Sequence, residues 1–167
     1  MEIIGTLQVA LILATFLCSL VAGFLFAFAV VVMAGIKHLN DKEFIRAFQA
    51  MDGIIQNNQP IFIIVWLGSV IALIITAALG IGHLDATGRW LLIVCTLAYL
   101  LGVQLPTFII NVPLNNRLQS LDVDAMDEVA QEAARQAFEG RWNRWNSFRT
   151  VVSCLVSFLL IVLALRY

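Results

Sequence analysis

Four long apolar blocks, at Leu7–Ala34, Ile61–Ile81, Trp90–Ile110 and Ser147–Leu165, constrain this chain more than any motif in it. Each holds 19 to 28 residues, against the ~20 needed to cross a hydrocarbon layer about 30 Å thick. Only Arg149 puts a charge inside one of them. In lipid the backbone must satisfy its own N–H and C=O groups, so the blocks are expected as helices rather than strands. The composition agrees: 61% of the residues are hydrophobic and 13% charged, where a soluble domain averages about half and a quarter. The expected fold is an all-α membrane protein, one domain over residues 1–167. Its four transmembrane helices form an antiparallel bundle, with short amphipathic helices in the two cytoplasmic loops.

Glu2 and the absence of Lys or Arg before the first block argue against a cleaved leader, and the block exceeds the h-region of one. It is read as a retained helix. The ten basic residues divide unevenly. Arg89 and Arg166 fall on one side of a four-span topology. Lys37, Lys42, Arg46, Arg117, Arg135, Arg141, Arg144 and Arg149 fall on the other. Positive charge marks the cytoplasmic side, so both termini are expected outside, with the chain in a bacterial inner membrane.

In the first loop, Asn40 and Glu43 have the spacing of a capping box. Phe44, Phe48, Met51 and Ile55 follow at helical spacing. The second loop predicts a helix over Asp124–Glu139, with Gly140 marking a bend before the fourth span. Small residues recur every four positions at Thr15, Ser19, Gly23 and Ala27, and again at Gly68, Ala72, Thr76 and Gly80. Such stripes seat neighbouring helices closely, within one chain or between two copies.

Much chemistry is excluded. The three cysteines, Cys18, Cys95 and Cys154, lie in three different spans without a C-x-x-C pair, which disfavours thiol–disulfide exchange. Two histidines, His38 and His83, fall on opposite sides and cannot form an intramembrane bis-histidine haem site. No carboxylate lies within a span, so a mid-membrane di-iron site or proton relay is not expected. Nucleophile-elbow and phosphate-loop motifs are absent as well.

What remains is polarity at one end of the bundle. NVPLNN (111–116) closes the third block and RWNRWNSFR (141–149) opens the fourth. Trp142, Trp145, Asn146 and Arg149 stand at i, i+3, i+4 and i+7, on one helix face. Asn111 and Asn115 are four apart, although Pro113 is expected to end the third helix near Asn111. Antiparallel spans bring the two stretches level, and Gln104 and Tyr99 extend a polar lining inward toward Thr107. Interfacial tryptophan, positive-side arginine and capping asparagine would explain each residue type singly. They do not explain an arginine a full turn inside an apolar run, which is costly unless paired and marks a pathway or anion site.

N-V-P-L-N-N after an apolar helix and W-x-x-W-N-x-x-R opening the last one resemble the anthrone oxygenase family of small membrane proteins. AGFLFAFAVVVMAG in the first helix is similar too, so the likeness covers nearly the whole chain. The resemblance implies insertion of molecular oxygen at the central methylene of a tricyclic phenol, with no cofactor. Such chemistry needs a flat apolar slot, donors for an oxyanion and exclusion of water. It assigns Arg149, Asn146 and Asn111 to catalysis, and Trp142, Trp145, Asn115, Gln104 and Tyr99 to substrate binding. No base is evident, although His38 would serve if its loop folded back. Membrane lipids and a hydrophobic aromatic molecule are the expected partners, with no nucleic acid. The competing expectation is a non-enzymatic module that binds lipid or a membrane partner.

Overall fold

A computed structural model describes residues 2–167, with side chains from residue 5 onward. Helix α1 (Glu2–Ala27) runs through a π-helical turn at Phe28–Val32 into α2 (Met33–Ile36). Then come α3 (Asp41–Gln56), α4 (Pro60–Gly80) and α5 (Ala86–Tyr99). Two further π turns, Leu100–Gln104 and Thr107–Asn111, lead into α6 (Val112–Gln119), and α7 covers Glu128–Arg166. Four continuous helical runs are long and apolar enough to cross a membrane: Gly5–Ile36, Pro60–Gly80, Ala86–Gln119 and Glu128–Arg166. The chain is an all-α integral membrane protein. In its bundle α1 packs between α4 and α7, and α5 closes the ring against both.

The central seam of α1 steps alternately by four and three residues, through Leu7, Leu11, Ala14, Cys18, Val21 and Leu25, all buried. That 3.5-residue period keeps one face turned to its neighbours. The small-residue stripe of α1 is not this seam: Gly23 is exposed, and nothing lies within 4 Å of where its Cβ would stand. On α4 the stripe is buried at Ala72, Thr76 and Gly80, and Gly68 abuts Leu17 of α1. Large apolar side chains such as Val9, Ile64, Leu101 and Phe158 cover the outside, as a surface facing lipid requires.

The third span does not stop at Asn111; it continues to Gln119. Proline ordinarily breaks a helix because its ring clashes with the carbonyl four residues back. For Pro106 and Pro113 those carbonyls belong to Gly102 and Ile109, each in the middle of a π turn. The wider turns, closed by Leu105 N–H to Leu100 O and Val112 N–H to Thr107 O, move these carbonyls off the regular ladder. The helix therefore absorbs both prolines.

The second loop contains no separate helix over Asp124–Glu139. Asp127 caps α7, accepting from Ala130 N–H at 2.8 Å, and the helix passes Gly140 unbroken for 39 residues. One glycine costs a helix only about 1 kcal/mol, too little to interrupt one packed on both sides of it. At ~1.5 Å per residue α7 is about 58 Å long, nearly twice the hydrocarbon thickness. Its N-terminal part projects beyond the bundle and meets α3, which Asn40 caps through Glu43 N–H at 2.9 Å.

Here a second core forms from Met33, Phe44, Ile45, Phe48, Leu118, Val123, Phe138 and Trp142. Arg135 of α7 fastens it. Its guanidinium donates to Lys37 O (2.7 Å), Leu39 O (2.9 Å), Asp41 Oδ1 (3.1 Å) and Glu139 Oε2 (2.7 Å). It also lies 4.3 Å from the Phe44 ring centroid. One side chain thus joins the end of the first span, the start of α3 and α7. Asp124 adds contacts to Lys42 and Arg46 of α3, and those two cations hold its carboxyl down to about 2.

Arg135→Ala should release the 37–41 connection without unfolding the bundle. Losing charged hydrogen bonds worth about 2 kcal/mol corresponds to roughly 30-fold more frequent local opening. Limited proteolysis of the detergent-solubilised protein should then cut between Lys37 and Asp41 at a correspondingly higher rate.

Candidate functional site

A partly open cavity of about 190 Å³ lies between the two cores. Phe24, Leu25 and Phe28 enter it from the first span, Phe62 and Trp66 from α4, and Thr107, Phe108 and Asn111 from the third span. Trp142, Asn146 and Arg149 of α7 complete the wall. α3 covers it with Phe48, Asp52, Ile55 and Gln56, next to Asn115 and Asn116 of α6. Gln56, Asn116 and Phe108 are exposed and mark its rim. A dry cavity of ~150 Å³ takes one benzene ring, so this one takes a ring and its substituents, with room to extend through the rim. Phe62 and Trp66 stack at 5.3 Å, and Phe24 meets both edge-on, giving flat aromatic walls.

Arg149 is 4% exposed. Its Nη1 donates to Thr107 Oγ1 at 2.7 Å and its Nη2 to Asn146 Oδ1 at 3.0 Å. Nε is buried without a partner. Among the described residues no carboxylate comes within ion-pair distance, 4.0 Å, of this guanidinium. Asn146 is held by Nδ2 donating to Leu25 O at 3.2 Å. Asn111 donates to Trp142 O at 3.4 Å, and its own Oδ1 is buried and unpartnered. The cavity therefore presents a positive charge and unused polar valences.

A second polar chain runs along the cover. Trp142 Nε1 donates to Asn115 Oδ1 at 2.7 Å, and Asn115 Nδ2 donates to Asp52 Oδ1 at 2.8 Å. Gln56 Nε2 reaches Asp52 Oδ2 at 2.6 Å. Asp52 is only 4% exposed. Burial pushes its carboxyl above the usual carboxylate range, against the two amide donors, which pull it down. Among the described residues, Asp52 and Arg149 are the only ionisable ones on the cavity wall.

Five of the expected site residues, Asn111, Asn115, Trp142, Asn146 and Arg149, meet in this cavity. Trp145 does not. It stands at the edge of the face and packs against Phe148 outside the cavity, beside Arg141 and Arg144, ring centroids 5.6 Å apart. Gln104 and Tyr99 also lie off the wall. Gln104 Oε1 accepts from Trp66 Nε1 at 2.9 Å, and Tyr99 OH pairs with Ser69 Oγ at 2.8 Å, so both tie the third span to α4. The π turns between them and Asn111 re-phase the helix, which regular spacing does not anticipate. His38 is exposed and off the cavity wall, so it is not placed as a base.

Sequence reasoning missed Asp52, Trp66 and the phenylalanines of α1. Asp52 carried a signal. It lies four residues beyond Phe48 and eight beyond Phe44, so it is a carboxylate on the apolar face of α3. Asn115→Leu should leave both the Trp142 indole N–H and Asp52 short of a partner. Each orphaned group costs about 1–3 kcal/mol, so a clear fall in the thermal midpoint in detergent is expected, against little change for the exposed Asn116→Leu.

Among curated proteins and among solved structures, no significant match was found. The family model described as anthrone oxygenase matches residues 54–160, well over half of the sequence, taking in α4, the whole third span and most of α7. These elements carry Trp66, Thr107, Asn111, Asn115, Trp142, Asn146 and Arg149. The chain belongs to the anthrone oxygenase family.

Proposed function

We propose that this protein is an integral membrane oxygenase that oxidises an anthrone- or quinol-like aromatic with molecular oxygen in the cavity around Arg149. The observation that carries this reading is the guanidinium itself, buried, unpaired and facing flat aromatic walls. A buried charge without a counter-ion costs several kcal/mol. An aromatic substrate that ionises would supply the missing anion. Its rings suit Phe62, Trp66 and Trp142, and its oxyanion suits Arg149, with Asn111 and Asn146 adjoining.

An ionised anthrone is electron-rich enough to react with oxygen directly, so the protein need only favour the anion and shield it. Arg149 favours it electrostatically, because the interaction strengthens in a site of low dielectric. The aromatic walls and the α3 cover keep water out. Overall the CH₂ of the substrate becomes C=O, one oxygen atom enters the product and the other leaves as water. The uneven distribution of basic residues supports a cytoplasmic position for this end of the bundle. The substrate would reach it from the membrane or through the rim.

The test is oxygen uptake by the purified protein in detergent with anthrone as substrate. Arg149→Ala should lower turnover at least about 100-fold, the scale for removing one transition-state donor, and Arg149→Lys should retain part of it. Unchanged turnover in folded Arg149→Ala would sink the assignment. Copurified phospholipid with no catalysed uptake by the native protein would instead indicate a lipid-binding module, with the guanidinium on a lipid phosphate.

A further inference from the structure

We infer that Asp52 is the proton acceptor of this site, a general base delivered by α3 to the cavity that α7 supplies with its cation. The inference rests on the oxygenase reading above. Four observations support it. Asp52 is 4% exposed and yet has no cationic partner among the described residues. It lies on the cavity wall, and no other carboxylate among the described residues does. Its two oxygens are held by two different amides, Asn115 Nδ2 at 2.8 Å and Gln56 Nε2 at 2.6 Å, which fix the carboxylate without neutralising it. Each oxygen keeps an unused lone pair for a substrate proton.

The placement suits the chemistry. Trp142 and Arg149 are seven residues apart on one face of α7, about 10 Å along its axis. Asp52 is tied through Asn115 to the Trp142 indole. Asp52 and Arg149 thus share one cavity without forming an ion pair among the described residues, which leaves space for a guest between them. In an anthrone the acidic methylene and the carbonyl oxygen lie across one ring from each other. A substrate whose carbonyl meets Arg149 can turn its methylene toward Asp52 on the α3 cover.

The C–H bond breaks heterolytically: the proton passes to an Asp52 oxygen, and the electron pair delocalises onto the oxygen facing Arg149. Oxygen then forms a C–O bond at the former methylene carbon, and the peroxide anion takes the proton back from Asp52. Asp52 next removes the second methylene proton. The O–O bond breaks, the carbon becomes a carbonyl, and the departing hydroxide takes that proton from Asp52 and leaves as water. Oxygen is the oxidant, and Asp52 ends as it began.

Burial also raises the carboxyl above its usual range. Such a group is more easily ionised in the unfolded chain, so its charge works against folding once the pH passes its unfolded value. Asp52→Asn removes that charge but also one of the two acceptors that Asn115 and Gln56 use, so its thermal midpoint in detergent is measured beside its activity to separate a lost base from unfolding.

The experiment compares the native protein with Asp52→Asn and Asp52→Glu in detergent, with anthrone and its dideuterated methylene form as probes. Native turnover should slow on deuteration. Asp52→Asn should lose at least about 100-fold in turnover, the usual contribution of a general base, while still quenching tryptophan fluorescence on binding anthraquinone. Asp52→Glu should recover part of the rate. Because Arg149 is the only other ionisable wall residue among those described, raising the pH until anthrone ionises unaided should bring native and Asp52→Asn rates together. Native turnover that Asp52→Asn fully retains overturns the base assignment and leaves the oxygenase reading intact. A native protein that binds but does not oxidise anthrone overturns both.

Discussion

The guanidinium of Arg149 is buried with no counter-ion among the described residues, and much of the architecture at this end of the bundle is arranged around it. Thr107 and Asn146 accept from it, Leu25 O holds Asn146, and Phe62, Trp66 and Trp142 line the same cavity. Among the described residues no acid pairs with it, although Asp52 shares the same cavity. Bringing the two into contact would give an ordinary buried ion pair with nothing left for a ligand. Keeping them apart leaves a cation and a carboxyl group within one small volume. On the proposed reading, the stability given up locally readies the site for an ionisable guest.

That separation depends on two cores of different character. Within the bundle, α1, α4, α5 and α7 pack through leucine, small and cysteine side chains. Beyond it, α2, α3, α6 and the start of α7 pack around phenylalanines and Trp142, fastened by Arg135. The cavity occupies the joint between them. α7 belongs to both, so its single uninterrupted length sets Trp142 and Arg149 at a fixed separation. The π turns of the third span do the complementary work. They let the helix continue past Pro106 and Pro113, so that α6 can carry Asn115 onto the cover.

Much of this was legible in the sequence, and the failures have physical causes. The four spans follow from apolar length alone, and the pairing of NVPLNN with W-x-x-W-N-x-x-R follows from antiparallel neighbours. Arg149 stood out because a charge in an apolar run has no bland explanation. Tyr99 and Gln104 were misplaced because regular spacing cannot register a π turn. Trp145 was misplaced because a face four residues wide has an edge. The bend at Gly140 did not materialise, since tertiary packing on both sides outweighs a single glycine. Asp52 went unnoticed because it sits in a loop helix, where carboxylates are usually solvated. Its position between Phe48 and Ile55, among residues that turn inward, was the available clue.

The central claim is that the cavity holds its aromatic guest as an anion. It is tested most directly by the absorption spectrum of anthrone bound to excess native protein at pH 7 with oxygen excluded. The account predicts the red-shifted spectrum of the ionised form, absent when anthrone is placed in the same detergent without protein. A bound ligand showing only the neutral ketone spectrum would contradict it.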